Sequence, residues 1–241
     1  MAIELPDELV WVMNLIGLNW PQVNEDEVRE FAGHVREFAS NMDSTHVAVT
    51  ETIRQMGDAY QAASYEVLAQ RWADMSSEHI AEIVRVCNVA ATVLDVAADA
   101  IVAAKLAVIA ELGVMAAEFI AAQAAAVATL GAAEAAEALL IEATKRVVNG
   151  LLQQLEDQII GELMEQMCGP LEAVVERALS GLVFQGVEAA LGVPGGAPSG
   201  EGYRIHPAEL MKHAQTLHGH ADEIAGHAQR FVTATEGMTF E

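Results

Sequence analysis

Apolar residues recur every three or four positions along most of the chain, which is the spacing of one face of an α-helix. The most regular stretch lies between residues 24 and 56. There the steps alternate between three and four, as they do when a long helix lies along a partner helix. Asn24 precedes this stretch, and Glu27 three residues later predicts a capping box at the helix start. The stripe comprises Val28, Phe31, Val35, Phe38, Met42, Thr45, Val49, Thr52 and Met56.

A second helix is predicted to return along the first. Residues 57–64 read Gly-Asp-Ala-Tyr-Gln-Ala-Ala-Ser, a turn in which Ser64 is the expected N-cap of the following helix. Residues 24–100 are therefore expected to form one long antiparallel helical hairpin. A short helix between Pro6 and Gly17 precedes it. The apolar face of that short helix comprises Leu9, Val12, Met13 and Ile16.

The composition changes after the hairpin, where 20 of the 42 residues from Ala97 to Ala138 are alanine. Because alanine has the highest helix propensity, further helices are expected over about 101–190. Together with the hairpin they predict an all-α fold, an elongated helical bundle over residues 1–191. Residues 192–202 hold five Gly and two Pro, a composition typical of a linker. Residues 203–241 are predicted to be a tethered amphipathic helix, the start of a second unit.

The last predicted helix carries large apolar residues at seven-residue steps: Leu210, Leu217, Ile224 and Phe231. An apolar face beyond a linker is expected either to fold back on the bundle or to dock on a partner. Histidines repeat at the same interval, at positions 206, 213, 220 and 227. They are predicted to form a half-polar flank of the apolar face. Because imidazole titrates near pH ~6.5, this flank predicts pH-sensitive packing of the helix.

The charge of the chain excludes several classes of partner. Twelve Lys and Arg stand against 35 Asp and Glu, a formal net charge of −23. No basic stripe is available to neutralise phosphates, so nucleic acid is not an expected partner. An anionic membrane surface would repel the chain for the same reason. The longest uncharged run, Phe119 to Ala133, is 15 residues, shorter than the ~18–20 that cross a bilayer, so a membrane partner is not expected either.

No arrangement of residues predicts catalysis, a metal site or a cofactor. The chain has no nucleophile elbow, no phosphate-binding glycine loop and no pair of His residues at i and i+4. Cys87 and Cys168 lie in apolar stretches without a metal-binding pattern, and whether they form a bridge stays open. The acidic start lacks the cationic region of a cleavable signal peptide. The chain is expected to be non-enzymatic.

The turn of the hairpin resembles that of the WXG superfamily of type VII secretion substrates. In that family a Trp-Xaa-Gly triplet forms the turn, and a second Trp follows in the return helix. Tyr60, Gln61 and Ala62 occupy the triplet position here, and Trp72 occupies the position of the later tryptophan. Phe31 and Phe38 lie in the apolar stripe of the first helix and Trp72 lies in that of the return helix, so all three are expected at the hairpin interface.

Two further stretches are similar to the long actinobacterial form of this module. One is the opening Glu-Leu-Pro-Asp-Glu-Leu-Val-Trp-Val-Met-Asn-Leu-Ile-Gly-Leu-Asn-Trp-Pro, and the other is Gly-Leu-Val-Phe-Gln-Gly-Val-Glu-Ala-Ala-Leu-Gly. That form is the N-terminal, channel-protein-like region of polymorphic toxins. The resemblance covers residues 1–191. It implies a chain that is cytoplasmic before export, and secreted or at the cell surface afterwards.

The same resemblance implies particular partners. They are the type VII secretion machinery, a small WXG-like helical protein or a second copy of the chain, and a C-terminal effector. The export signal of the family is Tyr-x-x-x-Asp/Glu, which none of the three tyrosines completes. Phe184 and Glu188 keep an aromatic residue and an acid at that spacing, on one helix face, and are the candidate substitute.

Three functions remain open at this point. The first is a targeting and delivery module that is exported folded. The second is a channel- or pore-forming domain that inserts into a membrane as an oligomer, which the Ala-rich middle and the toxin relatives suggest. The third is a purely structural homo-oligomer. Five ionisable residues, at positions 105, 111, 118, 134 and 137, argue against the pore because charges in hydrocarbon are costly.

Overall fold

The computed structural model describes residues 2–61, 63–126, 133–158 and 204–240. Over these residues the chain is built from six α-helices, with a π-helical turn and two strands of two residues each. The all-α prediction is confirmed. The helices are α1 (Asp7–Ile16), α2 (Glu25–Ala59), α3 (Ala63–Met75), α4 (Ala81–Ala126), α5 (Ala133–Asp157) and α6 (Pro207–Thr235), the π-helical turn is Ser76–Ile80, and the strands are β1 (Tyr60–Gln61) and β2 (Arg204–Ile205).

Local sequence accounts for the ends of the first two helices. α1 ends where Gly17 adopts φ +69°, and the amide of Gly17 donates to the carbonyl oxygens of Met13 and Asn14. Glycine reaches this left-handed conformation without steric cost. The Asn24 cap of α2 is confirmed, because Asn24 Oδ1 accepts from the amide of Glu27 at 3.2 Å. The reciprocal bond of a capping box differs, since the Glu27 carboxylate accepts from the side-chain Nδ2 of Asn24 at 3.2 Å and not from its backbone amide.

The return segment of the hairpin differs in length from its prediction. α2 extends to Ala59 and α3 begins at Ala63, so Ser64 lies inside the first turn of α3 and is not its N-cap. After the π-helical turn, α4 continues past residue 100 and through Gly113 to Ala126. The high helix propensity of the alanines explains why a single glycine does not end it.

The described residues fall into two compact units. The first unit comprises residues 2–31, 93–126, 133–158 and 238–240. Its main core is formed where α1, α4 and α5 meet, and the expected apolar face of α1 supplies three of its residues. The buried members of this core are Val12, Met13, Ile16, Val108, Leu112, Met115 and Val148.

A smaller cluster of the first unit joins the start of α2 to α4. Val28 packs with Ala98 and Ile101, and the ring of Phe240 covers this group. The backbone also holds the C-terminal residues here. The amide of Asn24 donates to the carbonyl oxygen of Phe240 at 2.9 Å, and the amide of Phe240 donates to Glu27 Oε2 at 2.9 Å.

The second unit comprises Ala32–Thr92 together with residues 204–237. β1 pairs antiparallel with β2, Tyr60 opposite Ile205, and the amide of His206 donates to the carbonyl oxygen of Ala59 at 3.1 Å. The chain therefore enters α6 directly beside the end of α2. The buried face of α2 in this unit consists of Ala32, Val35, Ala39, Met42, Thr45, Val49, Thr52, Ile53, Met56 and Ala59.

Part of the predicted organisation lies outside the described residues. The linker at 192–202, the later part of the helices expected over about 101–190 and Cys168 all belong to that part. The division into a bundle over 1–191 and a second unit over 203–241 stays a prediction.

Candidate functional site

The turn of the hairpin is held by contacts on both of its sides. Tyr60 lies in β1, and its hydroxyl group bonds to the hydroxyl group of Ser64. The phenol of Tyr65 lies over Gly57, where a Cβ atom would come within 2.6 Å of the Tyr65 hydroxyl oxygen. Gly57 is therefore required for this close approach. Gln61 completes β1, and Ala62 lies outside the described residues.

Trp72 joins α3 to α2 across the hairpin. Its indole N–H donates to Thr50 Oγ1 at 2.9 Å, and its ring lies 5.6 Å from the ring of His46. His46 Nε2 also bonds to the hydroxyl group of Ser76, the first residue of the π-helical turn. A tryptophan with a satisfied N–H gives a large contact area at little polar cost.

The two phenylalanines of the predicted hairpin interface contact aromatic rings near the C-terminus. In the second unit the ring of Phe38 lies 5.5 Å from that of Phe231. In the first unit Phe31 packs edge-on against Phe240 at 5.7 Å. Both distances are in the range of favourable aromatic pairs. The role of Phe31, Phe38 and Trp72 in a hairpin interface stays a prediction.

The half-buried residues of α6 form a single line that includes histidines. The sequence analysis placed the histidines on a flank, but His213, His220 and His227 alternate with the large apolar residues in that line. None of the residues of α6 is fully buried. The half-buried line includes Leu210, His213, Leu217, His220, Ile224, His227 and Phe231.

Two of these histidines bond to threonines of α2. His227 Nε2 lies 2.8 Å from Thr45 Oγ1, and His220 Nε2 lies 3.4 Å from Thr52 Oγ1. Both threonines are buried, with 5% and 7% of their surface exposed. Each pair is seven residues from the next on both helices, so the contacts repeat in heptad register. We call this contact, from Phe38 to Thr52 on α2 and from His220 to Phe231 on α6, the α2–α6 seam.

A buried ion pair lies in the first unit, and the sequence analysis did not find it. Lys105 of α4 and Glu25 of α2 are 2% and 1% exposed. Lys105 Nζ donates to Glu25 Oε2 and to the carbonyl oxygen of Val23, both at 2.7 Å. The amide of Ile3 donates to Glu25 Oε1, and Lys105 Nζ lies 5.9 Å from the centre of the Trp20 ring. The pair thus ties four separate segments together.

The surroundings of Glu25 keep it ionised. Burial by itself raises the pKa of its carboxyl group. The hydrogen bonds from Lys105 and from the Ile3 amide, together with the charge of Lys105, lower the pKa by more than burial raises it. The net result is a pKa below the ordinary value. The sequence held one signal for this ion pair, a single lysine in an alanine-rich helix. Such a lysine lies either in solvent or beside an acidic residue that is distant in sequence.

The described residues offer neither an activated thiol nor a metal-binding cluster. Burial raises the pKa of the Cys87 thiol, which lowers its thiolate fraction and its nucleophilicity. In the part of the chain that the structure describes, no group of three or more His, Cys, Asp or Glu is placed to hold a metal ion. The candidate export residues Phe184 and Glu188 lie outside the described residues.

One stretch of the described helices, Ala81–Ala124 of α4, is long and apolar enough to cross a membrane. Core helices of soluble proteins share this length and composition. About 28% of the most apolar 18-residue segment of the helix is buried inside the molecule. The buried side includes Lys105, Val108 and Leu112. Large apolar residues on the exposed side are Val96, Leu106, Val114 and Ile120.

A comparison with protein families gives a match, which covers the hairpin and the helices next to it in sequence. The model of the WXG100-like domain family matches residues 2–147, which include α1 to α4 and much of α5. No curated protein and no solved structure gives a match. Since the match covers more than half of the chain, the chain belongs to the WXG100-like domain family, whose members are helical proteins related to type VII secretion.

Proposed function

We propose that the chain is a non-enzymatic targeting and delivery module of type VII secretion. It is exported folded, pairs with helical partners and normally lies N-terminal to a toxin or another effector. The observation that carries this proposal is the family match over the hairpin. The polymorphic-toxin form of the family remains part of the proposal, on the strength of the opening residues and the Phe184 segment.

Exposed apolar side chains support pairing with a helical partner. In the first unit, Leu106, Val114 and Ile120 of α4 are 52%, 54% and 64% exposed, and Leu139 of α5 is 72% exposed. Large aliphatic residues exposed on two helices are typical of surfaces that pack against another helix. A small WXG-like protein is the proposed partner, and a second copy of this chain is the alternative.

Export is tested in a host that carries a type VII apparatus. The chain is expressed with a C-terminal epitope tag, and the culture supernatant and cell surface are assayed with and without the secretion ATPase. The proposal expects export that requires the ATPase. Phe184→Ala and Glu188→Ala should reduce export, whereas Leu179→Ala and Glu176→Ala, in the same segment, should not. Equal export in the absence of the ATPase would contradict the proposal.

A pore is the second candidate function, favoured by the length and apolar composition of α4. Membrane insertion would have to separate or bury the Lys105–Glu25 pair, because an isolated charge in hydrocarbon is costly. Leakage of dye from liposomes, measured with the purified chain at low concentration, distinguishes the two candidates. Leakage that increases with protein concentration would favour the pore. Intact vesicles, together with ATPase-dependent export, would favour the delivery module.

A further inference from the structure

The two histidines of the α2–α6 seam have different hydrogen-bonding requirements. At His227, Nδ1 faces Nη2 of Arg230, one turn further along α6. A guanidinium group only donates hydrogen bonds, so Nδ1 must carry the lone pair of the ring. Nε2 then carries the hydrogen, which it donates to Thr45 Oγ1 at 2.8 Å. The neutral ring of His227 satisfies both neighbours, and a second proton would remove one bond and place two cations side by side.

The neighbours of His220 favour the opposite protonation state. Its Nδ1 lies 3.0 Å from Glu223 Oε2, and a carboxylate only accepts, so Nδ1 carries a hydrogen. Thr52 Oγ1 donates its own hydrogen to the carbonyl oxygen of Ala48 at 2.9 Å, which leaves its lone pairs for the ring. While Thr52 keeps that bond, His220 Nε2, 3.4 Å away, donates as well. With two hydrogens and a positive charge the ring satisfies both neighbours and leaves the bond from Thr52 to Ala48 in place, whereas the neutral ring would need Thr52 to give that bond up.

The other ionisable groups near the seam reinforce this difference. His34 and Glu37 of α2 line the groove that also contains His227 and Arg230. His34 Nδ1 lies 3.9 Å from Glu37 Oε2, so a proton on His34 meets a carboxylate while a proton on His227 meets a guanidinium. Next to Thr52 along α2, the charges of Glu51 and Arg54 are paired with each other at 2.7 Å. Glu223 is thus the charge that faces His220 at hydrogen-bond distance.

We propose that the α2–α6 seam is a pH-responsive contact whose two ends respond in opposite directions. Acidification releases the end that contains His227 and Phe231 and strengthens the end that contains His220. The release exposes Phe38 and the adjoining face of α2. Histidine is the side chain that most often changes its charge between about pH 5 and pH 8, so the test compares pH 7.5 with pH 5.5. This inference is independent of the proposed role in secretion.

Hydrogen–deuterium exchange of the full chain tests the proposal. Peptides covering residues 207–222 and 223–235 are compared at pH 7.5 and pH 5.5, after correction for the intrinsic exchange rate. We expect protection of 223–235 to fall by about 2–10-fold on acidification, the effect of one hydrogen bond. Protection of 207–222 should stay constant or rise. Equal changes in both peptides, or no change in either, would overturn the proposal.

Variants connect the response to particular atoms. His227→Gln keeps a terminal N–H for Thr45 but cannot be charged, so it should remove the acid response of 223–235. His218→Gln, an exposed residue of the same helix, is the matched control and should leave the response unchanged. Glu223→Gln should reduce any gain at 207–222 in acid.

Arg230→Met keeps the test valid if His227→Gln prevents α6 from docking. This variant retains the imidazole and removes the cation beside it, so acid release of 223–235 should become smaller. Undiminished release in Arg230→Met, with His227 present, would contradict the assigned geometry.

Discussion

The core of the first unit and the α2–α6 seam are two helix contacts of opposite character. The core consists of apolar side chains that are almost fully buried, such as Val108 and Leu112, beside one buried ion pair. In the seam the side chains of α6 are only half-buried, and the polar groups buried on its α2 side are two threonines that bond to imidazoles. Buried apolar area stabilises a contact by roughly 25 cal/mol per Å², and it does so at any pH. The seam buries less apolar area, and its stability depends on the protonation of His220 and His227. It can therefore open while the core stays closed.

The largest expected effect is at the buried ion pair. Lys105→Met leaves the Glu25 carboxylate buried without its cation, and we expect a loss of about 3–5 kcal/mol in the free energy of unfolding of the first unit. Denaturant titration, followed through exchange of core peptides from α1 and α4, measures it. Lys145→Met, at an exposed lysine of α5, should change stability by less than about 0.5 kcal/mol.

The double variant Lys105→Met/Glu25→Leu separates charge from packing. Apolar replacement of both partners of a buried pair is often neutral or stabilising, so the double variant should recover most of the loss. A double variant as unstable as Lys105→Met alone would show that the pair acts through packing of the lysine stem and not through its charge.

Matched leucine truncations compare the two contacts directly. Leu112→Ala should cost about 2–5 kcal/mol, because a fully buried leucine leaves a cavity. Leu217→Ala, in the half-buried line of α6, should cost less, about 1 kcal/mol, because solvent and neighbouring side chains can fill the space. Thermal unfolding of each variant against the parent chain measures the difference. Equal losses at the two sites would show that the seam is as well packed as the core.

Acid should act on the core through Glu25. The pKa of Glu25 in the folded chain is below its ordinary value of 4.5, so its stabilising contribution is fully present above pH 4.5. It is lost as the pH falls from 4.5 through the folded-state pKa, because the unfolded chain then binds the proton first. In Glu25→Gln this part of the acid destabilisation should be missing, and urea titrations between pH 6 and pH 3 would show it. Glu118→Gln, an exposed control in α4, should follow the parent chain.

Sequence information was sufficient for the features that depend on neighbouring residues. The helical periodicity, the Asn24 cap and the end of α1 at Gly17 were all predictable, since each is decided within about four residues. The Lys105–Glu25 pair was not, because its partners are 80 residues apart and each resembles an ordinary charge on an exposed helix face. Only the packing of α2 on α4 makes them neighbours.

The position of the histidines on α6 shows the same limit. The line of Leu210, Leu217 and Ile224 and the line of His213 and His220 are three or four residues apart, so they share one side of the helix. Which of them faces the centre of a contact depends on the opposing helix. The threonines at positions 45 and 52 of α2 turn the histidines toward the contact. Their hydroxyl groups form hydrogen bonds with the imidazoles, which an aliphatic side chain could not do.

The smallest expected effect lies at one hydrogen bond of the seam. Thr45→Val keeps the shape of the side chain and removes the acceptor for His227 Nε2, which should cost about 0.5–1.5 kcal/mol at neutral pH. Exchange of residues 223–235 should become about 2–10-fold faster, while exchange of core peptides from the first unit stays constant. Thr92→Val, which removes only an intrahelical bond to Asn88 on an exposed face of α4, should leave α6 unchanged. If Thr45→Val left exchange of α6 unchanged, the apolar residues alone would hold the seam, and its contrast with the core would be one of degree only.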